Sequence, residues 1–340
     1  MKKIGRMLAL VMLVILFVVL VVGCGGQNTS STNSETKEES TDKKEEVKRI
    51  SLATGGTAGT YYPVGSGITA IITKYVDDIE ATAESTGASV ANLKMIRDGK
   101  IDMILAASNT AYAAYSGEQP FDDKPVGNIR GIAALYPEIF QFVVLKDSGL
   151  EKVSDLKGKK VAVGAPGSGT ERTAKMLLKA HGITYDDIEP QFLKFGEAIT
   201  ALKDRLIDCA IIGSGIPTSA VVDASASLDI NLLEVDKDVM DEFLKKVNFM
   251  RLETIPEGTY NGVNKDVLTI ASPALLITHE KMDDEMVYGI TKALFEHIDE
   301  LERVHAQGKN IKLENALKAM SIPLHPGAEK YYKEVGLFVD

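Results

Sequence analysis

Two α/β lobes facing each other across a cleft is the fold class the sequence predicts, and three observations predict it. From Ile50 to Asn109 short apolar runs alternate with amphipathic segments in the order βαβαβα. From Lys160 to Thr218 the pattern of strand, small-polar loop and helix returns without obvious sequence repetition. Between them, Gly131–Tyr136 and Phe140–Leu145 are extended runs with no long helix, as expected of chain passing from one lobe to another.

The front end precedes the folded body. Lys2, Lys3 and Arg6 form a basic region, and Met7 to Val22 is an unbroken apolar run of 16 residues. That is short for a membrane span of roughly 20 residues and suits a signal segment. It ends in Val21-Val22-Gly23-Cys24, which resembles a lipobox, so residues 1–24 are expected to be a leader with Cys24 as the lipidated residue; an uncleaved anchor helix is the alternative. Residues 25–47 carry Val47 as their one aliphatic side chain and are expected to be a disordered leash. Loss of the three leader cations takes the net charge from −10 to −13. That acidity excludes nucleic acid as a partner, because phosphate binding needs clustered Lys and Arg.

The body is expected to divide into a first lobe at 48–138, a second at 139–232, and a return with C-terminal helices at 233–340. Ile50–Ala53 reads as a strand, Thr54 to Gly59 as a Gly/Thr turn, and Tyr62 or Pro63 as the start of a helix. Such a turn offers free helix N–H groups to an anion, and glycines let the chain approach a ligand closely. A strand around Ile79–Ala83, a helix from Ala88 or Ser89 to Gly99 and a strand Ile101–Ala106 follow. Thr57, Thr86 and Ser108 then fall at the carboxyl ends of strands, where open α/β sheets bind ligands. In the second lobe Lys160–Val163 is a strand, Gly164–Thr170 a loop, Glu171–Ala180 a helix and Cys209–Ile212 a strand with Cys209 buried. Leu232–Val235 leads back, Ile270–Thr278 is a central strand of the first lobe, Asp283–His305 is helical, and the last 35 or so residues pack outside.

Several chemistries are excluded. Gly164 and Gly169 have P-loop spacing, but Thr170 stands where the lysine is required. Gly167-Ser168-Gly169 is followed by Arg172 where a dinucleotide fingerprint needs a small residue. The five histidines show neither a triad context nor an i,i+4 pair, so neither hydrolase chemistry nor a metal site is indicated, and no cofactor is expected. Tyr61 and Tyr62 line a ligand or sit in the core; Tyr136 and Phe140 are open in the same way. Arg172, beside the second loop, meets a ligand carboxylate or pairs with a neighbouring acid.

Three stretches in order, GGTAGTYYPVGSG at 55–67, ATAESTGASVANLKMIRDGKIDMILA at 81–106 and VAVGAPGSGTE at 161–171, resemble the TAXI family of solute receptors for tripartite ATP-independent periplasmic (TRAP) transporters. The similarity runs from about Ile50 to about His297. It implies a type II periplasmic-binding-protein fold, no enzyme activity, a small anionic or zwitterionic solute of the glutamate or 2-oxoglutarate kind, and TRAP membrane subunits as partners. It implies a lipid-anchored, extracytoplasmic protein. It places ligand contacts at Thr57, Thr60, Tyr61 and Tyr62, at Thr86, Ser89 and Ser108, at Gly167, Ser168, Gly169 and Thr170, and at Ser214 and Pro217. A receptor for an ABC transporter, an enzyme on the same fold and an adhesive lipoprotein are the alternatives.

Overall fold

A computed structural model describes residues 47–337; the leader, Cys24 and the leash up to residue 46 lie outside the described residues. In chain order the first half holds β1 (Lys48–Ala53), α1 (Tyr61–Tyr75), β2 (Ile79–Glu84), α2 (Ser89–Arg97), β3 (Met103–Ala107) and α3 (Ser108–Ser116). Then comes β4 (Ile129–Leu145), followed by β5 (Lys160–Ala162), α4 (Gly169–Ala180), β6 (Glu189–Gln191), α5 (Phe195–Lys203), β7 (Cys209–Ser214), α6 (Ser219–Ser227) and β8 (Ile230–Leu233). The chain continues through α7 (Lys237–Leu244), β9 (Arg251–Ile255), β10 (Val267–His279), α8 (Asp284–Glu296), α9 (Ile298–Val304) and α10 (Pro326–Glu334).

All the strands join one sheet in the order β2-β1-β3-β10-β4-β7-β5-β6, with β8 on β4 and β9 on β10. Two long strands thread its two halves. Residues Ile129–Ile139 of β4 pair with β10, whereas Ile139–Val144 pair with β7. β10 in turn pairs with β9 through Val267–Ala271 and with β3 through Ala274–Thr278. The two extended runs expected around 129–145 are therefore a single strand of 17 residues. Where the halves meet, Pro137 faces Pro273 and Glu138 faces Ser272, and the register shifts just beyond. Two facing prolines remove two ladder donors, and the register shifts between Pro273 and Leu275.

Each half carries a core on both of its faces. Met103 and Leu105 belong to one apolar cluster and Ile104 and Ala106 to another. On β4, Ile139 and Val143 belong to one, Phe140 and Phe142 to the next. This is the two-residue alternation of a strand covered by helices on both sides, and it explains the nearly continuous apolar runs.

Two expectations are corrected, and two features were not anticipated. The sheet is mostly parallel only at its flanks, because β10 runs antiparallel to both β3 and β4. The Leu232–Val235 run does not lead back but forms β8 against β4, in the second half. The C-terminal segment does more than pack outside: buried Tyr332 donates from its hydroxyl to the Ile132 carbonyl at 2.7 Å, and Leu324 bridges Gly131. The helix α7 and the strand β9 were not anticipated, although Asp236 is an N-cap that accepts from the Asp238 and Val239 N–H groups.

Candidate functional site

Strands β1, β2, β3, β5 and β7 all end at one cavity of about 220 Å³. Its walls are Gly55–Tyr61 after β1, Thr86–Ser89 after β2, Ala107 at the end of β3 and Ala165 and Ser168–Thr170 after β5. Gly213 and Ser214 at the end of β7, Glu138 and Phe140 from β4, and Lys194–Glu197 at the start of α5 complete it. At ~30 Å³ per water the space holds roughly seven waters, which is the scale of a small metabolite.

Each wall has a local cause. Ser168 caps α4 by accepting from the Glu171 N–H at 3.0 Å. The Gly169 and Thr170 N–H groups, first in α4, have no acceptor among the described residues and belong to residues of the lining, and free helix N–H groups suit an anion. At Gly169 a Cβ would lie 2.6 Å from Ser89 Oγ, so only glycine lets α4 come this close to α2. Asn92, wholly buried, donates to the Thr54 and Leu105 carbonyls at 2.7 and 2.9 Å, tying the loop after β1 to β3.

Of the residues indicated by the sequence, Thr57, Thr60, Tyr61, Thr86, Ser89, Ser168, Gly169, Thr170 and Ser214 line the cavity. Thr60 and Ser214 also bond each other: the Thr60 N–H donates to Ser214 Oγ at 3.1 Å, and Ser214 Oγ donates to Thr60 Oγ1 at 3.0 Å. Thr60 Oγ1 donates to the Gly215 carbonyl at 3.1 Å. With the Ala91 N–H on the Gly167 carbonyl at 3.0 Å, these bonds span the two halves of the sheet.

Five of those residues lie elsewhere. Tyr62 is half-buried off the lining, since successive helical residues point some 100° apart and Tyr61 takes the inward place. Ser108 starts α3 and turns its hydroxyl to the Ala319 carbonyl at 2.6 Å, leaving Ala107 on the wall. Gly167 stands one residue behind the wall in a left-handed turn, φ +74°. Pro217 is beyond the end of β7 and off the lining. Tyr136 is buried behind Glu138, its hydroxyl without a partner among the described residues. Arg172 is also turned away, donating to the Gln119 and Asn109 carbonyls at 3.3 and 3.4 Å.

Sequence reasoning missed Glu138, and it is the one buried ionised-type side chain on the wall. Glu138 is 7% exposed, and its Oε2 accepts from the Tyr61 hydroxyl at 2.9 Å. Tyr61 Oη lies 3.5 Å from Ser89 Oγ, and Ser89 Oγ accepts from the Ala107 N–H at 3.1 Å. Burial pushes the Glu138 carboxyl up to about 8, against the lowering effect of the Tyr61 bond. Burial, then Glu138 itself, drives the Tyr61 phenol upward. Lys194 and Glu197 are exposed, and Glu197 accepts from the Lys194 N–H at 2.9 Å, which holds the start of α5. The visible signal for Glu138 was a lone acid inside an extended apolar run; Lys194–Glu197 carried the signature of a helix start and nothing more.

The NMT1-like family matches residues 52–336. The chain belongs to the NMT1-like family. The match takes in every wall of the cavity. Among solved structures, a protein of Bordetella bronchiseptica RB50 is 18% identical with a TM-score of 0.51, covering 86% of this chain and 89% of its own. The aliphatic sulphonate binding protein SsuA of Escherichia coli is 15% identical with a TM-score of 0.45, covering 84% and 78%. PhnD1 of Prochlorococcus marinus, solved with methylphosphonate, is 12% identical with a TM-score of 0.48, covering 86% and 100%. A Methanocaldococcus jannaschii protein named as a precorrin-2 dehydrogenase is 27% identical over 187 residues, 52% of this chain and 78% of that one. The NMT1-like chain is an α/β protein, as the resemblance implied, and shares its fold with the Bordetella bronchiseptica protein.

Proposed function

We propose that this protein is an extracytoplasmic solute receptor, not an enzyme. It captures a small anionic or zwitterionic organic solute in the cavity between the two halves of its sheet, which act as lobes that close on the ligand. The observation that carries this is the wall itself: backbone N–H groups, hydroxyls and one buried carboxyl converge from both halves, and hydrogen bonds between Thr60 and Ser214 hold the halves shut around the space. The Tyr61–Glu138 pair touches neither a nucleophile–base pair nor a metal cluster among the described residues. Delivery to TRAP membrane subunits follows the TAXI-like motifs at 55–67, 81–106 and 161–171, and Cys24 supplies the lipid anchor. Reconstitution with the membrane subunits separates the transporter classes, since uptake driven by an ion gradient without ATP is the TRAP outcome.

The test of capture is a melting-temperature panel of amino acids, 2-oxo acids and dicarboxylates. A ligand at a hundredfold excess over Kd stabilises by about 2.7 kcal/mol, a shift of roughly 4 °C for a chain of this size. The shift is lost when Ser168→Ala and Thr170→Ala are combined. A panel without a shift, in a protein that melts cooperatively, contradicts the reading.

A further inference from the structure

We infer that Glu138 is the specificity-determining anchor for an ammonium group, so that the solute is an amine-bearing acid and not its oxo or hydroxy counterpart. This rests on the receptor reading and names the ligand class of that site.

Three side chains on the wall are acids or bases of the Asp, Glu, Lys, Arg or His kind, namely Glu138, Lys194 and Glu197, and only Glu138 is buried. Its Oε2 takes the Tyr61 hydroxyl, while Oε1 has no hydrogen-bond partner among the described residues. The groups acting on it are the Tyr61 phenol from α1 and the Tyr136 phenol from β4, with the Ser89 hydroxyl from α2 on the far side of Tyr61 and Ser272 of β10 paired with it across the ladder; none is a cation. Lys194 stands exposed at the start of α5, and Arg172 is engaged outside the cavity.

A buried carboxyl with no positive partner is costly unless it is protonated or something brings the charge to it. A solute carboxylate at this end would meet a group of its own kind and force the two to share one proton. A solute ammonium supplies the missing charge and donors for the free Oε1. The anionic end is provided for separately, on the free N–H groups of Gly169 and Thr170, while the Thr170 hydroxyl donates to the Gly213 carbonyl at 3.4 Å. A zwitterion therefore fits the polarity of the walls, with its cation toward β4 and its anion toward α4. Without ligand, burial keeps the proton on Glu138 up to about pH 8, so binding an ammonium at neutral pH expels that proton into the buffer.

The experiment is calorimetric titration of the full-length protein with the proteinogenic amino acids and their matched 2-oxo acids, such as L-glutamate against 2-oxoglutarate. Titrations are run in buffers of different ionisation enthalpy, on the wild type and on Glu138→Gln. Glutamine mimics the neutral carboxyl that the empty site already holds, so the variant keeps the fold. The expected result is a preference of at least tenfold for the amino member of one pair. Release of close to one proton at pH 7 and an affinity rising about tenfold per unit between pH 6 and 7 accompany it; Glu138→Gln loses all three. Equal or tighter binding of the oxo acid, or proton uptake on binding, overturns the ammonium assignment and leaves the receptor reading intact. An amino acid bound as well by Glu138→Gln overturns it too. If no member of either series binds either protein, the receptor reading falls and this inference falls with it.

Discussion

Glu138 concentrates the physical chemistry of the site in one side chain. Its ordinary value is 4.5 and burial lifts it to about 8 in the fold. The folded protein therefore holds a proton that the unfolded chain has released throughout that window. Stability from this group is complete below about pH 4.5 and is lost as pH rises to about 8, by up to ~1.4 kcal/mol per unit. Urea unfolding of the ligand-free protein at pH 5, 6.5 and 8 should show this decline, and Glu138→Gln should flatten it; an unchanged slope in the variant would place the titration elsewhere. Ala88 is a second residue under stress: it precedes α2 at φ +65° and ψ −154°, a region that glycine occupies almost alone. Ala88→Gly should relieve ~2 kcal/mol of strain, less ~1 kcal/mol of glycine entropy, and raise the melting temperature by a few degrees. Cys209 carries no such function. Burial drives its thiol far upward, so a thiol reagent should leave it unlabelled until the protein unfolds.

At the scale of elements, the site depends on α1 lying flat against β1. Gly65 makes this possible, because a Cβ there would stand 2.5 Å from Thr54 Cγ2, and Thr54 is wholly buried with its hydroxyl on the Glu84 carbonyl at 2.7 Å. Alanine favours a helix over glycine by ~1 kcal/mol, but overpacking costs ~1–3 kcal/mol, so Gly65→Ala should destabilise on balance. Thermal unfolding decides the sign. Elements of this kind were legible from the sequence where periodicity and punctuation agreed. The Gly/Thr turn into α1, the helix from Ser89, the loop into α4 and the strand at Cys209 fall within a few residues of their expected places. What escaped was non-local. Nothing in Leu232–Val235 says that it pairs with β4, and nothing in Ile270–Thr278 says that β10 runs against both neighbours. The candidate site divides in the same way. Loops were visible as small and polar stretches, but whether Tyr61 or Tyr62 faces inward is set by helix phase, and Ser108 turns to Ala319, a partner 211 residues away. Glu138 hid because its place is set by non-local pairing, opposite Ser272 and beside the facing Pro137 and Pro273.

The described residues form two half-sheets sharing β4 and β10, with the cavity where they meet. The receptor reading proposed above needs the halves to part and close, with the Thr60–Ser214 hydrogen bonds made in the closed form. Ser214→Ala removes one acceptor and one donor from that contact. About 1 kcal/mol of closure should be lost, roughly a fivefold weakening expressed in faster dissociation. Stopped-flow displacement reads this directly, and an effect confined to association would contradict it. The central claim is that this cavity holds one small solute per chain. Native mass spectrometry of the full-length protein, incubated with the amino-acid and organic-acid panel, tests it most directly. The account predicts a single adduct of one small-molecule mass, released on denaturation and absent from the Ser168→Ala, Thr170→Ala double variant. A wild-type protein that stays free of adduct across the panel, or an adduct retained undiminished by the double variant, would contradict it.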